Sequence, residues 1–349
     1  MTNGIFNKLR KKTAESNQLI KIQDMILYES ANEDFLNVPN TLTRKSLPHF
    51  INELFLMLSE QHLANNYQKD SMGEYVIKEN RENYVTRLLM PEFTLYTKDP
   101  LTLDEFHDLV KNIEKMAKTL KPNAHLLLST LAVVDANGKL LDTAIYVEGG
   151  KSPILHIYTK NMADPNDVNY ANEDAEDGIK EHRFELFSQQ RVDNNPMGHS
   201  DFVAGLAGGS ISHESVFEVS LLGGASYIQA LDICSDHALG HSKALFKRRL
   251  ENDFTELVPY QVEQCITSLG MIKIAESKLV EEPLLCDAIF LNIDQGDTGS
   301  EELVRKPAIS DKYAVKVYPE RDARTFTPEL EALVEEHNIE VGKKFGLPR

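Results

Sequence analysis

Cysteine is scarce in this sequence: Cys234, Cys265 and Cys286 are the only three, and no C-x-x-C pair occurs. An odd, sparse set argues against a disulfide framework and fits a reducing compartment, so a cytoplasmic protein is expected. Long apolar runs are missing as well. Nothing approaches the roughly 18 uninterrupted apolar residues of a membrane-spanning helix, and no bilayer crossing is expected. The basic cluster Lys8, Arg10, Lys11 and Lys12 has no apolar segment behind it, which argues against a signal sequence. Positive charge is in short supply overall, with a formal net charge of -17. Such a surface repels phosphate backbones and anionic headgroups, so neither nucleic acid nor a membrane is an expected partner. There is no internal repeat.

What is present is enough for a globular fold: 349 residues, 42 % of them hydrophobic. Apolar residues at helical spacing predict a helix over Leu47 to Leu63. Tyr84 to Met90 reads as a strand that stops at Pro91 and carries Glu92 at its tip. Thr102 and Glu105 form a capping-box pattern before Phe106, Leu109, Val110, Ile113, Ala117 and Leu120, which predicts the clearest helix of the chain. Leu126 to Val134, Leu140 to Val147 and Pro153 to Tyr158 follow as strands, the first apolar enough to be covered on both faces.

Acidic residues crowd between Asp164 and Glu185, and Gly205 to Ser215 is rich in glycine and serine, both suggesting solvated loops. Val216 to Leu222 and Tyr227 to Ile233 read as strands, the second ending on Cys234. Helices are expected beyond it through Leu245 and over Val262 to Lys278, then a buried strand at Leu284 to Ile293. A C-terminal helix is expected within Glu320 to His337, with Thr327 as N-cap and Pro328 first, before a tail from Val341. The expected organisation is an N-terminal segment over 1-83, partly helical and joining the core. A core follows over 84-318 with an acidic insertion at about 164-215, and a C-terminal helix and tail over 319-349.

Three islands carry chemistry: Met90-Pro91-Glu92-Phe93, Tyr158-Thr159-Lys160 and Asp232-Ile233-Cys234-Ser235-Asp236, each at a predicted strand end. A free thiol is mostly protonated at neutral pH, so a nearby carboxylate such as Glu92 is needed to generate the thiolate. An ammonium such as Lys160 stabilises negative charge developing on a substrate heteroatom, and the Ser235 backbone N–H is a second candidate donor. In type, order and setting the islands resemble the nitrilase (carbon-nitrogen hydrolase) superfamily. Leu140-Leu141-Asp142-Thr143-Ala144 resembles the stretch before that family's lysine strand.

The resemblance implies an α/β fold, a nitrilase-like α-β-β-α sandwich with two central mixed sheets flanked by helices. It implies a cofactor-independent amidase or nitrilase with a Glu-Lys-Cys triad, a small-molecule amide or nitrile substrate, and a homodimer. It offers Glu181, in Lys180-Glu181-His182-Arg183-Phe184, as a second glutamate, and puts Ser235, Asp236 and His237 by the substrate. Lys160 and Cys234 stand further apart than is usual in the family, so an insertion lies between them.

Plainer readings exist for each residue. Cys234 read alone is a buried structural thiol, Glu92 a solvent-facing carboxylate, and Lys160 a surface charge. Cys234, Asp236, His237 and His241 together suggest a transition-metal site, but no distant His or Cys pair completes four ligands, so no metal is expected. Gly205 to Ser210 lacks the Gly-Lys-Ser/Thr ending of a phosphate loop. The glutamates around Leu330, Leu333 and Val334 read as an acidic helix with one apolar stripe, although such a C-terminus can accompany export by specialised bacterial secretion systems. Two other functions fit the same residues: a catalytically silent relative that binds a partner through the acidic insertion, and an acyltransferase using the same thioester.

Overall fold

The computed structural model describes residues 19–29, 42–97, 99–134, 140–160, 210–238, 240–252, 261–268, 285–292, 304–305 and 313–345. The first half runs β1 (Lys21–Glu29), α1 (Leu47–Asn66), β2 (Tyr67–Lys69), β3 (Tyr75–Ile77), β4 (Tyr84–Leu89), β5 (Leu101–Thr102), α2 (Leu103–Ala117), β6 (Ala124–Val134), β7 (Leu140–Glu148) and β8 (Ile154–Thr159). The second runs β9 (Ile211–Ser212), β10 (Val216–Ser220), β11 (Ser226–Ile233), α3 (Ser235–Ala238), α4 (His241–Asn252), β12 (Val262–Ser268), β13 (Ile289–Asn292), β14 (Val304–Arg305), β15 (Tyr313–Val317), β16 (Arg321–Asp322) and α5 (Pro328–Phe345). It is a mixed α/β fold. Among the described residues no helix is long and apolar enough to cross a membrane.

A ten-stranded sheet follows the order β14-β15-β1-β4-β6-β7-β8-β9, with β16 on β1 and β5 on β6, and a four-stranded sheet follows β10-β11-β12-β13. β1, β4 and β6 are parallel neighbours, whereas β6, β7 and β8 form an antiparallel meander. Alternation along the strands sorts side chains to two faces. From the large sheet, Leu88, Leu126, Leu128, Leu141 and Ile145 pack with Phe50, Leu54 and Leu58 of α1 and Phe106, Val110 and Ile113 of α2. Its other face gives Ile22, Val85, Leu127, Tyr146 and Tyr158 to a cluster shared with Phe217, Val219, Tyr227, Leu231 and Ile233 of the small sheet. Beyond the small sheet, Ile228 and Val262 pack with Phe246 of α4 and Leu330 and Val334 of α5. Each such side chain fully withdrawn from water contributes about 1.5–3 kcal/mol before entropy is counted.

The capping box of α2 is formed as its sequence predicts: Thr102 accepts from the Glu105 N–H, and the Glu105 carboxylate accepts from the Thr102 N–H. Elsewhere the structure departs from expectation. Val262 to Ser268 is strand β12, not the start of a helix, and residues 269–284 lie outside the described residues. The N-terminal segment contributes β1, paired between β15 and β4, in addition to the helix α1. The C-terminal helix begins at Pro328 but runs on to Phe345, through what reads as a tail. Thr327 accepts the Glu331 N–H with its carbonyl, while its hydroxyl makes no capping bond among the described residues.

The missed strands share a cause. Arg87 on β4 is completely buried and donates to Asp24 of β1 at 2.8 Å, Gln229 of β11 at 3.2 Å and Glu263 of β12 at 2.9 Å. Arg321 adds bonds to Asp24 at 2.8 Å and Glu263 at 2.7 Å, and Arg324 one to Glu263 at 2.9 Å. This ion cluster ties the two sheets together. It places charged residues inside β1 and β12, where a half-buried strand would normally carry apolar ones.

Candidate active site

Glu92 and Lys160, 68 positions apart, meet in an ion pair of 3.0 Å whose side chains are both almost wholly shielded from solvent. Neither is a surface charge. Glu92 follows the end of β4 in a turn where Phe93 has φ +64°, a left-handed conformation uncommon outside glycine. That turn is secured by the Phe93 N–H donating to the Thr130 hydroxyl at 3.0 Å and by Thr94 donating to the Pro91 carbonyl at 2.8 Å. Thr130 lies where the β6–β7 register slips between Leu128 and Leu131, at a bulge in the ladder.

Lys160 directly follows β8. Thr143 faces Thr159 in the β7–β8 register, and the Lys160 N–H donates to the Asp142 carbonyl at 2.8 Å, so Asp142 and Lys160 continue the ladder opposite one another. Directly opposed residues share a face of the sheet. Asp142 alternates with Ala144 and Tyr146, and Lys160 with Tyr158, all three neighbours belonging to the cluster between the sheets. The pair therefore projects towards the small sheet.

Cys234 follows β11 with φ +44° and packs, partly buried, against that same inter-sheet cluster. A non-glycine residue held there carries about 1–3 kcal/mol of strain, and such strain concentrates at functional turns. The Cys234 N–H donates to the Thr267 carbonyl at 2.8 Å, and its carbonyl accepts from His237 at 2.9 Å as α3 begins. The loop is fastened to the lysine strand by the Tyr158 hydroxyl, which donates to the Asp236 carboxylate. Tyr158 stands two residues before Lys160 and Asp236 two after Cys234. Cys265 and Cys286 are buried core thiols, raised by burial above the ordinary thiol range, Cys286 to about 12.

Beneath the cysteine loop a second network is built on Asp232, whose carboxylate accepts from Ser242 at 2.7 Å and Gln264 at 2.8 Å and meets His237 Nδ1 at 3.1 Å. Burial opposes its ionisation, but the His237 hydrogen bond, the charges of His237 and His241 and the Ser242 bond hold it below the usual carboxylate range. In the neutral ring the contact to Asp232 puts the proton on Nδ1, and Nε2 has no hydrogen-bond partner among the described residues. His237 also lies edge-on to Phe290, with centroids 5.9 Å apart. His241 is used differently, stacking on Tyr158 at 5.5 Å. Among the described residues no three His, Cys, Asp or Glu side chains converge as metal ligands.

Of the other site expectations, Ser235 opens α3, and Glu181 lies outside the described residues together with the acidic insertion. Asp142, which the sequence names only within the Leu140 to Ala144 stretch and without a role, is a further candidate of the site. Burial raises it well above the usual carboxylate range, the Glu92 carboxylate adds to the rise, and Lys160 and the hydroxyls of Thr130 and Tyr96 oppose it. Its signal in the sequence is one acid inside the apolar strand Leu140 to Val147.

No protein-family model matches the chain, and neither does any curated protein. Solved structures do resemble it. The crystal structure of N-terminal amidase with an Asn-Glu peptide is similar at 11 % identity and a TM-score of 0.31, and that with a Gln-Gly peptide at 12 % and 0.31. Each alignment covers 72 % of this chain and 48 % of the amidase, so this chain spans about half the length of the structures it matches.

Proposed function

We propose that the chain is a thiol-dependent hydrolase of a non-peptide carbon-nitrogen bond, an amide or a nitrile, built on a nitrilase-type α-β-β-α arrangement. The observation that carries this reading is the buried 3.0 Å Lys160–Glu92 pair on the inter-sheet side, with Cys234 held at a strained turn against the same cluster. In this reading Glu92 takes the Cys234 proton, and the thiolate adds to the substrate carbon. Charge moves onto the substrate heteroatom, where Lys160 stabilises it. For an amide, the carbon-nitrogen bond then breaks as Glu92 returns the proton to the leaving amine, and a thioester remains. Glu92 next takes a proton from water, hydroxide adds to the thioester, and the carbon-sulfur bond breaks to give the acid and the restored thiol. Asp236 fastens the cysteine loop, and His237 Nε2 offers an acceptor to a substrate N–H.

The test is ammonia or amine release across a panel of amides and nitriles, with hydroxylamine trapping of the thioester. Wild-type protein is expected to turn over at least one member and to yield hydroxamate, and Cys234→Ala to lose both. Turnover that survives Cys234→Ala rules the mechanism out.

A further inference from the structure

The ion pair is not alone in its pocket. Asp142 is opposite Lys160 in the β7–β8 register, their main chains joined at 2.8 Å, and both alternate with residues of the inter-sheet cluster. Asp142 is 1 % exposed and Lys160 is 5 % exposed, so both are withdrawn from bulk water. Lys160 already gives a hydrogen bond to Glu92. The titratable groups acting on Asp142 are Glu92 from the turn after β4, Lys160 from the end of β8 and Tyr96 from the turn before β5, with the Thr130 hydroxyl from the β6 bulge. Among the described residues, two acids and one ammonium therefore share a space withdrawn from bulk solvent. One acid can balance the ammonium, while ionising both would leave an uncompensated buried charge.

The side-chain contacts decide which acid stays neutral. Glu92 holds a direct 3.0 Å contact to the ammonium, whereas no hydrogen bond links the Asp142 carboxyl to Lys160. We propose that Asp142 is a positioning residue of the same site, a neutral carboxylic acid beside Lys160 that leaves the ammonium to Glu92 and to the substrate. The inference rests on the proposed hydrolase reading for what Lys160 does, and on the register, burial and charged neighbours of Asp142 for its state. Were Asp142 ionised, Lys160 would divide its attraction between two anions and hold neither Glu92 nor a substrate as firmly. At a pH high enough to remove the Asp142 proton the site should fail in this way, so the residue sets an alkaline limit on activity.

Infrared spectroscopy of the full chain tests this without a substrate. At neutral pH the wild type should show the carbonyl stretch of a buried carboxylic acid. The stretch should move to lower frequency on [4-13C]aspartate labelling and be missing from Asp142→Asn. No acid stretch, or one that ignores aspartate labelling, overturns the proposal. Should Asp142→Asn fail to fold, the labelled wild type alone decides. The kinetic counterpart uses whichever amide the panel supplies. Asp142→Ala is expected to lose on the order of tenfold to a hundredfold in kcat/KM, the penalty of a misplaced catalytic group. Asp142→Asn, the neutral isostere, should recover most of that loss and move the alkaline limb of the pH profile upwards. An unmoved alkaline limb contradicts the assignment. A chain with the labelled acid stretch and no turnover sinks the hydrolase reading alone, whereas Cys234-dependent turnover without the stretch sinks this one alone.

Discussion

The molecule contains two buried charge clusters that connect distant parts of the chain, and they are built on opposite plans. Around Arg87, planar guanidinium groups meet carboxylates through several bonds each, so Asp24 and Glu263 both have more than one cationic partner. Around Lys160, among the described residues, one flexible ammonium pairs with Glu92 beside a second acid, Asp142, that is pushed far from its usual ionisation range. A guanidinium fork locks geometry, whereas a lysine is a point charge that can turn to a new partner. The first cluster holds the two sheets in register. In the proposed reading the second keeps a cation and a carboxylate available to a reacting group, with a charge balance that depends on pH.

Arg87 should be the costliest residue of the structural cluster to lose. Arg87→Met leaves Asp24 and Glu263 buried with reduced compensation, and the expected loss is on the order of 3–5 kcal/mol, the usual effect of removing one partner from a buried ion pair. Urea unfolding checks it. A loss below about 1 kcal/mol would place the cluster among the weak surface pairs.

Acid should expose the structural region next. His62 is held down to about 4 by burial, with the Pro122 carbonyl opposing, and His125 to about 3 by burial, Arg87 and the neighbouring histidines. Both are neutral when folded but take up a proton near 6.5 when unfolded, so their contribution is complete above pH 6.5 and is lost as pH falls towards 4 and 3. His62 alone corresponds to about 3 kcal/mol over that span. Glu263 extends the loss: burial raises it, but Arg87, Arg321 and Arg324 hold it at about 2, so its contribution drains away between 4.5 and 2. The urea midpoint measured against pH should therefore fall steadily below 6.5. In Arg87→Met the fall should be shallower, because His125 loses a repelling charge. A midpoint flat from pH 7 to about 4 would contradict this reading of the histidines.

The two clusters also explain what could be read from the sequence. Elements with an uninterrupted pattern were legible: the capping box and apolar stripe of α2, the apolar run of β6, and the strands ending near Glu92, Lys160 and Cys234. β1 carries Asp24 and β12 carries Glu263 and Gln264, polar residues whose partners lie on other strands, so periodicity alone misjudged both. Glu92, Lys160 and Cys234 stand out because each occupies a short motif at a strand end. Asp142 sits mid-strand inside the Leu140 to Ala144 stretch, which gives it no chemical role by itself, and its meaning emerges only when the β7–β8 register sets it opposite Lys160. The Asp232–His237–Gln264 network was hidden for the same reason, since Gln264 arrives from a strand read as helix.

The most direct measurement is the residue-resolved alkylation of the three thiols by iodoacetamide at neutral pH, followed by mass spectrometry in wild type and Glu92→Gln. Cys265 and Cys286 are buried and shifted upwards, so Cys234 should react on the order of a hundredfold faster, as expected of a thiol whose proton a neighbouring carboxylate accepts. Glu92→Gln should remove most of that advantage while the fold stays intact. If Cys234 keeps its full rate in Glu92→Gln, or reacts no faster than the two core cysteines, the carboxylate does not serve the thiol and the account is wrong.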